Sequence, residues 1–167
     1  MGAMRTMGFA LAVCLALATP AQAADPDAPG FRVKLLDSRA TFDSRERIGK
    51  RPVVIRFQAS WCKPCIREAP GFARVVERYR ARGVDFIALH VQDTASDTRR
   101  FMRKYPVPCP VALDPRLSVA NLFDFKGTPT TIVIDRKGKM TARIEGESAV
   151  TRLPRLLDEA LHTDRKS

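Results

Sequence analysis

The stretch that most restricts this chain runs from Val53 to Cys65, Val-Val-Ile-Arg-Phe-Gln-Ala-Ser-Trp-Cys-Lys-Pro-Cys. It opens as an apolar run of strand-forming residues and closes on two cysteines. Beyond them Ile66, Phe72, Val75, Val76 and Tyr79 recur at helical spacing among charges. The pattern predicts a strand, a tight turn and a helix, with both cysteines at the turn. Cys62 then falls at the positive end of the helix, where unpaired backbone N–H groups stabilise a thiolate, and Cys65 lies one turn inside. Such an arrangement suits one sulfur that attacks and a second that resolves.

A Cys-X-X-Cys pair is also half of a common zinc site. Zinc takes about four Cys, His or carboxylate ligands. This chain has no second such pair, and its histidines, His90 and His162, are not in ligand spacing. Thiol-disulfide chemistry is the better reading, and no metal and no cofactor are expected.

Trp61-Cys62-Lys63-Pro64-Cys65, followed by Glu68 and Pro70 and far downstream by the run from Gly127-Thr128-Pro129 to Asp135-Arg136-Lys137-Gly138, resembles the thioredoxin superfamily. Within it the chain is most similar to the exported, TlpA/ResA-like thiol-disulfide oxidoreductases of bacteria, from about Phe31 to about Leu161. The resemblance implies an α/β, thioredoxin-like fold: a central mixed β-sheet flanked by helices, with an N-terminal β extension and an inserted helix-strand segment. It implies Cys62 and Cys65 as the catalytic pair, supported by Trp61, Lys63, Pro64, Glu68, Thr128 and Pro129. In this family the Thr128-Pro129 bond would be cis and face the cysteines, leaving the Thr128 backbone to hydrogen-bond an extended substrate. Pro64 would fix the turn, Trp61 would cover one wall, and Glu68 would match the group's active-site glutamate.

The same likeness favours a reductase acting on disulfides of exported proteins, apocytochrome c among them, with a membrane thiol carrier as electron donor. A disulfide oxidase or isomerase uses the same two sulfurs and differs in reduction potential. A copper-binding or metallochaperone protein on this scaffold is the alternative from another class, because copper suits soft thiolates; no methionine-histidine cluster accompanies the pair. A peroxidase, also found in the superfamily, is less suited to a complete Cys-X-X-Cys pair.

Residues 1–23 are expected to be a secretory signal peptide. Arg5 precedes an apolar run from Met7 to Ala18, and Ala21-Gln22-Ala23 offers a cleavage site. The apolar run is shorter than the roughly 18 residues a membrane span needs, and Val13 before Cys14 does not suit lipidation. Residues 24–30, broken by Pro26 and Pro29, read as a mobile tether, 31–163 as one domain and 164–167 as a tail. The predicted location is periplasmic, where disulfides persist and a thiol couple must be maintained against oxidation. The formal charge of +11 on 167 residues suits contact with anionic membrane surfaces or acidic partners. Its scatter along the chain gives a solvated basic surface and argues against nucleic acid.

Several other residues invite a role. Arg56 interrupts an interior strand six residues before Cys62, where thioredoxins often hold a buried carboxylate that moves the resolving cysteine's proton. A guanidinium cannot accept a proton, so that role is not carried over; Arg56 either pairs with Glu68 or turns to solvent. His90 ends a second interior strand, as a hydrogen-bonded structural group or a proton relay. Cys109, between Pro108 and Pro110, is either a small buried hydrophobe or else an exposed thiol or a partner in a regulatory disulfide. The periodicity also predicts a helix from Cys62 to about Arg82 containing Pro70 and ended by Gly83, and an amphipathic helix over 96–105. Further on it gives a short helix over 117–123, a hairpin around Asp135–Gly138, and a last helix with Pro154 in its first turn.

Overall fold

The computed structural model describes residues 25–163. The expected signal peptide and tail, 1–23 and 164–167, lie outside the described residues. In chain order the elements are β1 (Arg32–Lys34), β2 (Thr41–Asp43), β3 (Val53–Gln58), α1 (Lys63–Arg80), β4 (Asp85–Val91), α2 (Ala95–Lys104), β5 (Val111–Asp114), β6 (Thr130–Ile134), β7 (Met140–Glu145) and α3 (Ala149–Thr163). Short 3₁₀ turns occupy Ser44–Arg47 and Ala120–Phe123.

Five strands form the central sheet in the order β5-β4-β3-β6-β7. β3, β4 and β5 run parallel, while β6 and β7 are antiparallel to their neighbours, so the sheet is mixed. Every residue of β3 is buried, as expected of an interior strand covered on both faces. Alternation then sorts its side chains. Ile55 and Phe57 join Ile87, Leu89, Val91 and Ile132 in a core roofed by Phe31, Phe42 and Phe123 from the N-terminal hairpin and the second 3₁₀ turn. Val54 faces the other way, into a core with Phe72, Val76 and Tyr79 of α1, Phe86 of β4, and Leu153 and Leu157 of α3. Arg56 and Gln58 share the parity of Val54 and so point to the α1 side of the sheet.

The ends of the elements follow local chemistry. α1 is capped by Cys62, with Pro64 in its first turn where a missing N–H costs nothing. Gly83, at φ 91°, takes the chain out of it. Thr94 caps α2 by accepting from Asp97 N. The hairpin over Asp135–Gly138 forms as expected, with Gly138 at φ 83°.

Two boundaries differ from expectation. α3 starts at Ala149, so Pro154 lies inside the helix rather than in its first turn. The cause is upstream: Gly146 (φ 70°) reverses the chain, and the Ser148 carbonyl already accepts from Arg152 N at 3.0 Å. The short helix expected over 117–123 contracts to Ala120–Phe123. Leu117 sits at φ 59°, and the Asp114 carboxylate takes the N–H groups of Val119 and Ala120 at 3.0 and 2.8 Å.

Within the segment read as a tether, Met140 N donates to Pro26 O at 2.9 Å, Ala28 N donates to Gly138 O at 2.8 Å, and Asp27 pairs with Lys139. This stretch is laid against the β6–β7 hairpin. Among the described residues no helix is long and apolar enough to cross a membrane.

Candidate active site

The cysteines lie where β3 leaves the sheet. Cys62 and Cys65 are joined by a disulfide. Cys62 has the extended backbone of an N-cap (φ −79°, ψ 100°), and its Sγ accepts from Cys65 N at 3.2 Å. Cys62 N donates to Ala59 O at 3.2 Å, which closes the turn between strand and helix. A sulfur in this position receives a backbone N–H and the positive end of an 18-residue helix, the setting that favours a thiolate once the disulfide opens. Cys62 is 3% and Cys65 1% exposed, whereas the neighbouring Trp61 is 59% exposed, an unusual position for so large an apolar ring.

Sheet register brings the second motif to the same end. Phe57 lies opposite Thr130, so the start of β6 is beside the end of β3, and the Thr128-Pro129 bond just before β6 is cis. Lys63 is exposed, Pro64, Glu68 and Thr128 are half-buried, and Pro129 is buried.

Arg56 does not reach solvent. It is 1% exposed, and its Nη2 donates to Glu68 Oε2 at 2.7 Å while Nη1 donates to Thr131 Oγ1 at 3.0 Å. The strand register explains the second contact, since Arg56 and Thr131 are direct cross-strand partners. The guanidinium also stacks on Phe72, with its carbon 5.0 Å from the ring centre. Burial pulls the Arg56 pKa below its ordinary value, and Glu68 opposes that fall. The other oxygen of Glu68 faces Val150 N at 3.5 Å, in the first turn of α3. One carboxylate, a turn beyond Cys65, thus ties β3, α1 and α3 together.

A second buried polar group centres on His90, which the sequence offers as a hydrogen-bonded structural group or a proton relay but whose partners Gln58 and Asp93 it does not indicate. His90 is fully buried, with Nδ1 2.9 Å from Asp93 Oδ2 and Nε2 2.8 Å from Gln58 Nε2. Gln58 and His90 are cross-strand partners at the ends of β3 and β4. Because the Gln58 amide nitrogen only donates, Nε2 must accept, and the proton sits on Nδ1 facing Asp93. Burial lowers the His90 pKa against the opposing pull of Asp93, so the ring is neutral near pH 7. Asp93 also receives Ser60 N at 2.8 Å and Ser60 Oγ at 2.7 Å. Burial pushes its carboxyl up, but the hydrogen bonds from His90 and Ser60 together outweigh this and hold it below the usual range. A signal was present in the alternation: Arg56, Gln58 and His90 are polar residues on one face of two strands that, Asp85 at the start of β4 apart, are otherwise apolar.

Cys109 is a free thiol, half-buried against the core beneath α1 and α3. Burial pushes its pKa up to about 12, so it is a thiol and not a thiolate at neutral pH. Among the described residues no group of three or more His, Cys, Asp or Glu is placed to hold a metal ion.

Residues 25–143 match the AhpC/TSA family. The chain is 31% identical over 127 residues to a thiol-disulfide oxidoreductase ResA of Bacillus cereus, covering 76% of this chain and 72% of the relative. It is 30% identical over 131 residues to ResA of Bacillus thuringiensis subsp. konkukian, covering 78% and 75%. Among solved structures, a putative thiol:disulfide interchange protein DsbE from Chlorobium tepidum superposes with a TM-score of 0.74 at 27% identity, over 82% of this chain and 96% of that one. With two cysteines joined at a helix N-cap and a cis-proline bond at the neighbouring strand, the chain belongs to the AhpC/TSA family and, within it, to the thioredoxin-like thiol-disulfide oxidoreductases of ResA type.

Proposed function

We propose that this protein works outside the cytosol as a disulfide reductase of exported proteins, apocytochrome c among its substrates, with a membrane thiol carrier restoring its reduced state. The observation that carries the chemistry is the hydrogen bond from Cys65 N to Cys62 Sγ at the start of α1, which supports Cys62 as the attacking sulfur because a donated N–H favours a thiolate. The basic residue, apolar run and Ala21-Gln22-Ala23 at the N-terminus support export. The names of the ResA and DsbE relatives support the reaction class.

In the reduced enzyme the Cys62 thiolate attacks one sulfur of a substrate disulfide. A Cys62–substrate bond forms, the substrate S–S bond breaks, and the first substrate sulfur leaves as a thiolate that takes up a proton. Cys65, having lost its proton, then attacks Cys62 Sγ. The mixed disulfide breaks, the second substrate sulfur leaves, and the enzyme holds the Cys62–Cys65 disulfide seen here. Two electrons pass to the substrate, and two thiols of the donor return them. Trp61, Lys63 and Pro64 border the reacting sulfur, and the Thr128 backbone supplies hydrogen bonds to an extended substrate chain.

Trapping tests the reading. A Cys65→Ser variant should accumulate mixed disulfides through Cys62 with exported cysteine proteins, and a Cys62→Ser variant should not. Equal capture by both would remove Cys62 as the attacker. A Cys62–Cys65 potential near about −120 mV, that of a strong oxidant, would overturn the direction.

A further inference from the structure

Four hydrogen bonds shape the turn over residues 59–65. Cys62 N to Ala59 O and Cys65 N to Cys62 Sγ are local and travel with the turn wherever it goes. The other two reach outside it. Ser60, two residues before Cys62, gives both its N–H and its hydroxyl to Asp93, which stands just beyond β4.

Asp93 is itself anchored. His90 at the end of β4 donates to it, and Gln58 at the end of β3 donates to His90. The chain of contacts therefore runs from the last residue of β3, across the sheet, through a side chain beyond β4 and back to the turn after β3. The Asp93 side chain is 2% and the His90 side chain 0% exposed. Burying a carboxylate is costly unless its oxygens are well bonded, and every contact just named goes either to the sheet or to Ser60. Facing a neutral ring, the carboxylate keeps its charge and so its strength as an acceptor. Around this group Phe101 of α2 packs edge-on to His90. Asp97, Arg100 and Lys104 of α2 line the recess that Ser60 and Trp61 share.

We propose that Asp93 is a positioning residue of the exchange reaction. By taking both donors of Ser60 it fixes the turn that presents Cys62 as the N-cap of α1, and so keeps the Cys65 N–H and the helix end aimed at the Cys62 thiolate. This rests on Cys62 being the attacking sulfur. The position of the turn, set by the carboxylate, is the working element; its negative charge acts in the opposite sense, since a nearby anion disfavours a thiolate.

The opposition gives a directional test: the pH profile of iodoacetamide alkylation at Cys62 in the fully reduced, folded protein, with the site identified by mass spectrometry. Ser60→Ala removes one bond and leaves the carboxylate in place. Its profile should move to higher pH by about half a unit, about threefold less thiolate below the pKa. Ser60→Thr, which keeps the hydroxyl, should return it to the parental position. Asp93→Ala should move it further, by about one unit or tenfold. A Ser60→Ala profile overlying the parent would overturn the proposal even if Asp93→Ala does not fold. A shift of Asp93→Ala to lower pH would overturn it too, because the carboxylate would then act through its charge. Substrate reduction by the parental chain is measured alongside: reduction that persists unchanged in Cys62→Ser would remove the functional reading first and this inference with it, whereas an overlying Ser60→Ala profile in an active reductase removes the inference alone.

Discussion

Arg56 and Glu68 form an ion pair at 2.7 Å beneath the helix that carries the cysteines, with the arginine side chain 1% and the glutamate side chain 9% exposed. Removing one partner strands the other. Glu68→Gln leaves a guanidinium buried without its counter-charge, a loss of about 3–5 kcal/mol, and also weakens the acceptor facing Val150 N. Replacing both together, Arg56→Leu with Glu68→Leu, should recover most of that stability, because apolar replacement of a buried pair is often neutral. Denaturant unfolding of the two variants checks this. Equal destabilisation by the single and double changes would show that the pair is not the source.

The burial of His90 makes stability depend on pH in a defined sense. Burial lowers the pKa of His90 in the fold. Once pH falls below about 6.5, the unfolded chain takes up a proton that native His90 refuses. Stability is therefore fully present above that pH and is lost progressively down through the folded pKa. Asp93, also lowered, adds a further loss below the ordinary carboxylate range. Melting temperatures of the parent should fall between pH 7.5 and 5.5, and the fall should be smaller in His90→Gln, which has no proton to take up there. Parallel curves for parent and variant would exclude His90 as the origin.

How far these features were legible depends on whether their cause is local. Cys62, Pro64 and Cys65 lie within four residues of one another, so strand pattern, N-cap chemistry and the proline's place in the first turn could be read together. The sequence allows an Arg56–Glu68 pair as one of two alternatives for Arg56, because both residues stand at fixed offsets from the cysteines, six before Cys62 and three after Cys65. The cis Thr128-Pro129 bond came from family likeness alone. Asp93 and Ser60 were not reached, because their contact depends on the parallel register that sets Gln58 beside His90, and no local pattern fixes the pairing of strands 32 residues apart. The start of α3 was misplaced for a related reason. Leucine spacing begins at Leu153, but the chain turns at Gly146 and Ser148, before any apolar periodicity is visible.

Cys109 should behave as an inert thiol. With its pKa pushed up to about 12 by burial, only about one molecule in ten thousand carries the thiolate at pH 8. In reduced, folded protein, alkylation should label Cys62 quickly and Cys109 only after denaturant is added. Mass spectrometry of timed samples reads this directly. Labelling of Cys109 at a rate near that of Cys62 would show that its sulfur is neither shielded nor protonated.

Gly71 of α1 lies tight against Val150 of α3. A Cβ built there would lie 2.8 Å from Cγ1 and 3.1 Å from Cγ2 of Val150, and Val150 is the residue whose N–H faces Glu68. Gly71→Ala gains about 1 kcal/mol in helix propensity, yet overpacking at a fixed helix contact costs about 1–3 kcal/mol. Because a β-branched valine has little freedom to turn aside, overpacking should win, with a net loss of about 1 kcal/mol. Adding Val150→Ala opens the contact and lets the propensity gain show. The double variant should then exceed the sum of the singles by at least about 0.5 kcal/mol. Strict additivity would mean that the helices part without cost and that Gly71 is free to change.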